Sequence, residues 1–151
     1  MYRPALASFV EKTWGGRRVL REVPSTPGSC QFACLAHQVF GTSSRSAEVR
    51  NAVVSYIRTH LDRYDGLLLP TPSDYLTKMS AETTWGDHVT LDAAANVYSL
   101  KIELAADFDI PTVIIVEPAP SDTSSCLTPV YLAIYPENHY LSLDLIGETL
   151  F

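Results

Sequence analysis

The stretch PGSCQFACLAHQVFG, residues 27–41, decides how the rest of the sequence is interpreted. A Pro-Gly turn leads directly into an apolar run with the i, i+3, i+4, i+7 spacing of a buried helix, carried by Phe32, Leu35, Ala36 and Val39. Gly41 stands where a C-terminal cap belongs, so the pattern predicts a helix over residues 30–40. The first residue of that helix is Cys30, and this raises the question of why a thiol is placed there.

Two interpretations of Cys30 follow from the turn alone. Backbone N–H groups at a helix start lack partners and carry partial positive charge, so they favour a thiolate over a thiol. Together with the N–H groups of Gly28 and Ser29, the N–H of Cys30 is then a candidate donor to an oxyanion, and Gly28 allows close approach of a substrate carbonyl. However, free cysteines are most often buried and inert, so a structural role stays open at this point.

The other thiols give weaker signals. Cys34 lies one helical turn after Cys30 and Cys126 lies in a loop, and we interpret both as structural or incidental. A zinc site built from Cys30, Cys34 and His37 would lack a second ligand pair at the usual spacing, so no metal is expected.

Composition limits the class of protein. The chain has 151 residues, 46% of them hydrophobic, which favours one compact domain over residues 1–151. No apolar run of about 18 residues and no signal-peptide pattern are seen, so neither a membrane span nor a membrane partner is expected. Three cysteines without such a signal favour a reducing compartment, the cytoplasm with access to the nucleus. The net charge of −6 argues against nucleic acid as a partner.

The remaining sequence alternates helix-like and strand-like patterns. Helices are predicted within residues 43–64, with Ser44 or Ser46 as cap, over 70–80 with Ser73 as cap, and over 89–99. Strands are predicted by apolar and β-branched runs at residues 17–23, 101–106, 112–117, 130–135 and 139–143. Because most helices precede the strands, the sequence predicts an α+β, or mixed α/β, domain.

A reactive thiolate needs a base, and histidine is the usual choice. His37 and His60 lie inside helical patterns, which favours surface or core roles. His88 follows Trp-Gly-Asp in a loop, whereas His139 opens a short strand after a turn. A side chain presented by a turn at a strand start is firmly held and exposed on one side, so His139 is the preferred candidate.

Four segments together resemble the ovarian-tumour (OTU) family of cysteine deubiquitinases, in its plant- and fungus-like branch. The stretch at 27–41 is similar to the cysteine loop and first helix of that family, whose usual form is Asp-Gly-Asn-Cys followed by an apolar helix. The other three segments are VRNAVVSYIRTHLDRYDG (49–66), DYLTKMSAETTWGDHVTLDAAANVYSLKIELA (74–105) and ENHYLSL (137–143). Their order and spacing agree with the family from about residue 20 to about residue 143.

The resemblance implies a papain-like architecture in which a small twisted β-sheet packs between helices. It makes Cys30 the nucleophile and His139 the general base, with backbone donors to the oxyanion at Gly28, Ser29 and Cys30. Trp85 and Tyr140 become candidate walls of the cleft, although core packing is an equal alternative for both. No cofactor is implied.

The implied activity is a cysteine isopeptidase, or deubiquitinase. Such an enzyme hydrolyses the bond after the C-terminal glycine of ubiquitin or a ubiquitin-like protein, and its partners are that modifier and its conjugates. The alternative is a catalytically weak or inactive OTU domain that binds ubiquitin as an interaction module.

Two departures from the family pattern support keeping that alternative. Pro27 stands where the family has aspartate, and Leu141 stands where it has an acid or amide two residues after the histidine. Residues i and i+2 of a strand share a face, so position 141 is where a group that orients His139 should lie. The third member is therefore expected to be missing, replaced by a backbone carbonyl, or supplied by another residue, with Asp87 and Asn138 as the candidates.

Overall fold

The computed structural model describes residues 4–120, 126–135 and 139–146, and the fold is stated for these. Their helices are α1 (Pro4–Thr13), α2 (Cys30–Phe40), α3 (Ser46–Thr59), α4 (Pro72–Met79) and α5 (His88–Tyr98). Their strands are β1 (Arg18–Arg21), β2 (Leu100–Ala106), β3 (Thr112–Val116), β4 (Thr128–Tyr135) and β5 (His139–Leu145). Within these ranges, every helix is too short or too polar to cross a membrane.

The five strands form one sheet in the order β1-β5-β4-β2-β3. The β2–β4 pair is parallel and the other three pairs are antiparallel. One face of the sheet packs into the main core with α2, α3 and α5, and α1 covers the other face. The predicted α+β class, with a small sheet between helices, is confirmed.

Helix ends match the sequence patterns less well than helix interiors. α2 ends as predicted, since Gly41 adopts a left-handed φ of 79° and its N–H donates to the carbonyl of His37. The serine caps predicted for the next two helices are wrong. Thr71 caps α4, because its extended backbone lets the side chain accept from the Asp74 N–H. α3 follows a 3₁₀ turn (Ser43–Arg45) whose cap is Thr42.

Helix α1 is absent from the sequence-based assignment. Its two buried side chains are Leu6 and Val10, which are spaced i, i+4 and so share one helical face. They pack against the second face of the sheet, on Ala105, Ala133, Leu141 and Leu143. Position 141 is consequently in a core and not in an open cleft.

Candidate active site

Cys30 lies where the first turn of α2 meets the start of β5. Its side chain is half-buried, and its Sγ accepts the backbone N–H of Tyr140 at 3.5 Å. Tyr140 directly follows His139, so the predicted nucleophile and the predicted base are brought to the same place from positions 109 residues apart in sequence.

The His139 imidazole is held by a residue that the sequence analysis did not select. Its Nε2 contacts Oε1 of Glu22, and its ring packs against Tyr135 with centroids 4.9 Å apart. With Nε2 held by a carboxylate, Nδ1 is the nitrogen that can exchange a proton with a thiol.

Strand pairing explains why Glu22 reaches this position. The β1–β5 register pairs Arg21 with Ser142, and one further residue along each strand places Glu22 across from Leu141. Side chains directly opposite on antiparallel strands share a face. The carboxylate therefore comes from the residue directly after β1, which lies beside position 141, where the family pattern has its own acid or amide.

The two candidates for a third member have different outcomes. The Asp87 carboxylate is used at the start of α5, where it accepts the Thr90 N–H at 3.0 Å and the Tyr75 hydroxyl at 3.0 Å. Burial raises the pKa of the Tyr75 hydroxyl, and the neighbouring Asp87 carboxylate raises it further. The expectation for Asp87 is thus corrected in favour of Glu22, and Asn138 lies outside the described residues.

The turn before α2 depends on glycine. Gly28 has a φ of +87°, and a Cβ placed on it would lie 2.1 Å from the carbonyl oxygen of Thr83. The next N–H, that of Ser29, donates to the Thr26 carbonyl at 3.0 Å. That bond corrects the expectation that the Ser29 N–H serves an oxyanion, and it leaves the N–H groups of Gly28 and Cys30 as the candidates.

Gln31, which the sequence analysis also missed, joins the starts of α2 and α5. Its side chain is 1% exposed, donates to the Asp87 carbonyl at 3.1 Å and accepts the Thr90 hydroxyl at 2.6 Å. It also bonds the Tyr140 hydroxyl, and burial raises the pKa of Tyr140 to about 12. The space between Gln31 and Gly86 is small, because a Cβ on Gly86 would meet the Gln31 Oε1 at 2.4 Å.

An open cleft of about 470 Å³ lies beside Tyr140. Its walls are mostly apolar, with carboxylates at Asp87 and Asp107, and they include Phe108, Ile114, Val116, Ile134 and Tyr135. Tyr140 is both a cleft wall and buried, at 5% exposed. Trp85 is 48% exposed and lies next to Gly86, which lines the cleft.

The remaining histidines have other partners. Nδ1 of His37 lies 2.8 Å from the Ser142 hydroxyl, and His60 stacks on Tyr56 with centroids 3.9 Å apart. His88 is the exposed first residue of α5 and lines the cleft. In the described part of the chain, none of these three histidines lies at the N-terminal end of α2, where Cys30 is.

Alkylation rates should separate the three thiols. We expect iodoacetamide to react fastest with Cys30, because its sulfur lies at the N-terminal end of α2 and accepts the Tyr140 N–H, and both stabilise negative charge on the sulfur as it attacks. Cys34 should be the slowest, since it is 0% exposed and burial raises the pKa of its thiol. Cys126 is exposed and serves as the internal reference. Peptide mapping over a time course measures all three rates, and faster modification of Cys34 or Cys126 would contradict the assignment.

A cysteine at the start of a helix, beside a histidine–carboxylate pair carried by neighbouring strands, is the arrangement of papain-like cysteine proteases. The family model described as OTU-like cysteine protease matches residues 25–140. The chain therefore belongs to the OTU-like cysteine protease family.

Sequence similarity to a named protein supports that assignment. The chain is 36% identical over 122 residues to OVARIAN TUMOR DOMAIN-containing deubiquitinating enzyme 10 of Arabidopsis thaliana, which covers 81% of this chain and 33% of that protein. The chain thus spans about a third of the length of this relative.

Two solved structures share the fold. The OTU domain of OTUD1 superposes with a TM-score of 0.77 at 20% identity, covering 91% of each chain. An OTU domain in complex with ubiquitin superposes with a TM-score of 0.69 at 16% identity, covering 85% of this chain and 70% of the other.

Proposed function

We propose that this chain is the catalytic domain of a cysteine isopeptidase that removes ubiquitin, or a ubiquitin-like protein, from its conjugates. The observation that carries the proposal is the meeting of Cys30 with the start of β5, where His139 is held by Glu22. The Arabidopsis relative is named a deubiquitinating enzyme, and a structural neighbour was solved with ubiquitin bound.

The proposed chemistry proceeds in two stages. His139 takes the Cys30 proton, and the sulfur attacks the carbonyl carbon of the modifier's C-terminal glycine. The resulting oxyanion is stabilised by N–H groups of the turn, and the C–N bond breaks as His139 returns the proton to the leaving amine. In the second stage His139 takes a proton from water, which attacks the thioester and releases the modifier's carboxylate with the Cys30 thiol. Glu22 stabilises the imidazolium that forms in each stage.

Charge and cleft shape support a basic protein tail as the substrate. Ubiquitin's tail and binding face are rich in arginine and lysine, while this chain carries a net charge of −6 and two aspartates on the cleft wall. Such complementarity accelerates encounter more than it strengthens binding. The cysteines at positions 30, 34 and 126 form no disulfide, which supports the cytoplasm, with access to the nucleus, as the proposed location.

A ubiquitin probe with a C-terminal electrophile tests the proposal. We expect the wild-type chain to form one covalent adduct at Cys30, and Cys30→Ala to form none. Cys126→Ser is the matched control, because it removes an exposed thiol and should label as fast as the wild type. Binding of ubiquitin without any adduct would instead support the interaction module. Running the same assay with probes made from ubiquitin-like proteins identifies the preferred modifier.

A further inference from the structure

Arg50 is a buried cation directly beneath the turn that carries Cys30. It belongs to α3 and is 3% exposed, whereas its helical neighbours on that buried face are mostly valines and isoleucine. The catalytic proposal above does not use it. A buried guanidinium is costly unless all its donors are satisfied, so its partners indicate what holds it there.

The partners of Arg50 come from the turn itself and from the end of α4 with the segment that follows it. Nη1 donates to the Met79 carbonyl at 3.0 Å. Nη2 donates to the Glu82 carbonyl at 2.8 Å and lies 3.3 Å from both the Gly28 carbonyl and the Ser29 hydroxyl. The guanidinium also lies over the Phe32 ring, 4.2 Å from its centroid.

This arrangement fixes one peptide group from both ends. The Gly28 carbonyl is held by Arg50 at 3.3 Å, and the N–H of the same peptide, that of Ser29, is held by the Thr26 carbonyl at 3.0 Å. Because the C=O and N–H of a peptide point in opposite directions, rotation of this unit would break both bonds. This peptide lies between the two peptides that carry the candidate oxyanion donors, the N–H groups of Gly28 and Cys30, so holding it fixes the backbone that connects them.

We infer that Arg50 is a positioning residue for the proposed reaction: its guanidinium holds the Gly28–Ser29 peptide so that the turn presents its N–H donors to the oxyanion. The inference rests on the proposed function for its ubiquitin substrate. It does not make Arg50 a catalytic residue, since the guanidinium acts through the turn and lies beneath it.

Lysine is the informative replacement for Arg50. An ammonium keeps the positive charge but presents its donors from a single point, whereas the guanidinium fork reaches Met79 on one side and Gly28 on the other. Arg50→Lys should therefore keep most of the fold and loosen the turn. Arg58→Lys is the matched control, because Arg58 is an exposed arginine of the same helix.

Two reactions of Cys30 distinguish a positioning role of Arg50 from a general loss of structure at the turn. In alkylation by iodoacetamide, the thiolate displaces iodide and no oxyanion forms. In acylation by p-nitrophenyl acetate, the sulfur bonds to the carbonyl carbon, a tetrahedral oxyanion forms, and p-nitrophenolate leaves. Both rates are measured in a Cys126→Ser background, together with kcat and KM for a ubiquitin C-terminal fluorogenic amide.

For Arg50→Lys we expect acylation and the ubiquitin kcat to fall about ten-fold or more, since misplaced oxyanion donors stabilise the transition state poorly. Alkylation and KM should stay within about two-fold of the reference, because neither depends on the oxyanion. Arg58→Lys should change none of these values.

The inference is wrong if acylation by Arg50→Lys equals that of the reference, or falls only in proportion to alkylation. If a thermal melt shows that Arg50→Lys does not fold, Ser29→Ala decides by the same comparison. It removes the hydroxyl that Arg50 contacts, and acylation should fall about three- to five-fold with alkylation unchanged. A reference protein that is acylated by the ester but does not hydrolyse the ubiquitin amide would refute the proposed function, while the ester still decides the role of Arg50.

Discussion

Replacing His139 with alanine is expected to lower the turnover of a ubiquitin C-terminal amide by about a thousand-fold, because general acid–base catalysis contributes on the order of 10² to 10⁴ in rate. The amine of an isopeptide bond is a poor leaving group, and without the imidazole no side chain at the site returns a proton to it. The fold should be kept, since the imidazole is 32% exposed. Steady-state hydrolysis with a thermal melt of each protein measures both effects.

Glu22→Gln tests how much the carboxylate beside His139 contributes to the same reaction. Glutamine keeps the length and an acceptor oxygen but loses the charge that stabilises the imidazolium, so a loss of about ten-fold is expected. Glu48→Gln is the control, because Glu48 is also an exposed glutamate in an ion pair, with Arg45 at 2.6 Å. Equal turnover by Glu22→Gln and the wild type would mean that this carboxylate does not contribute, and a fully active His139→Ala would refute the base assignment.

Much of the fold could be predicted because its elements have local signatures. The helix from Cys30 to Phe40 has apolar spacing and a glycine cap, and strands β2 to β5 are β-branched runs between turn residues. The caps were less predictable. Several serines and threonines lie near each helix start, and tertiary packing decides which one adopts the extended backbone that capping needs.

The third member of the site could not be predicted from local pattern. Glu22 was inside the predicted strand at 17–23, yet its contact with His139 exists only because β1 pairs with β5, across 117 residues of sequence. The roles of Arg50 and Gln31 could not be predicted from local pattern either. Each is a long polar side chain in a helix, and only the packing of distant segments shows that it is buried and hydrogen-bonded.

Position 141 shows what a correct local rule leaves undecided. Alternation along β5 does place Leu141 on the same side of the strand as His139. Alternation does not tell whether that side is open to the cleft or covered by another element, and an acid or amide at 141 could orient the imidazole only in the open case. Helix α1 decides between the two, because its Leu6 and Val10 cover that face of the sheet.

Leu141→Asn is therefore expected to destabilise the protein and not to activate it. Leu141 is 0% exposed among aliphatic side chains, so the variant loses their contact with a buried leucine and places an amide where water is excluded. Together these effects should cost about 3 kcal/mol or more of unfolding free energy. For a chain of this size, that corresponds to a fall in Tm of roughly 6 to 12 °C.

Leu67→Asn is the matched control, because Leu67 is 48% exposed and the same exchange should change Tm by little. Turnover by Leu141→Asn is compared with the wild type well below its Tm, per mole of folded protein. A variant that melts with the wild type and hydrolyses ubiquitin amide faster would show that position 141 reaches the imidazole after all. The expected result, lower stability with no gain in turnover, follows because Glu22 already contacts the ring nitrogen that an acceptor at 141 would have to reach.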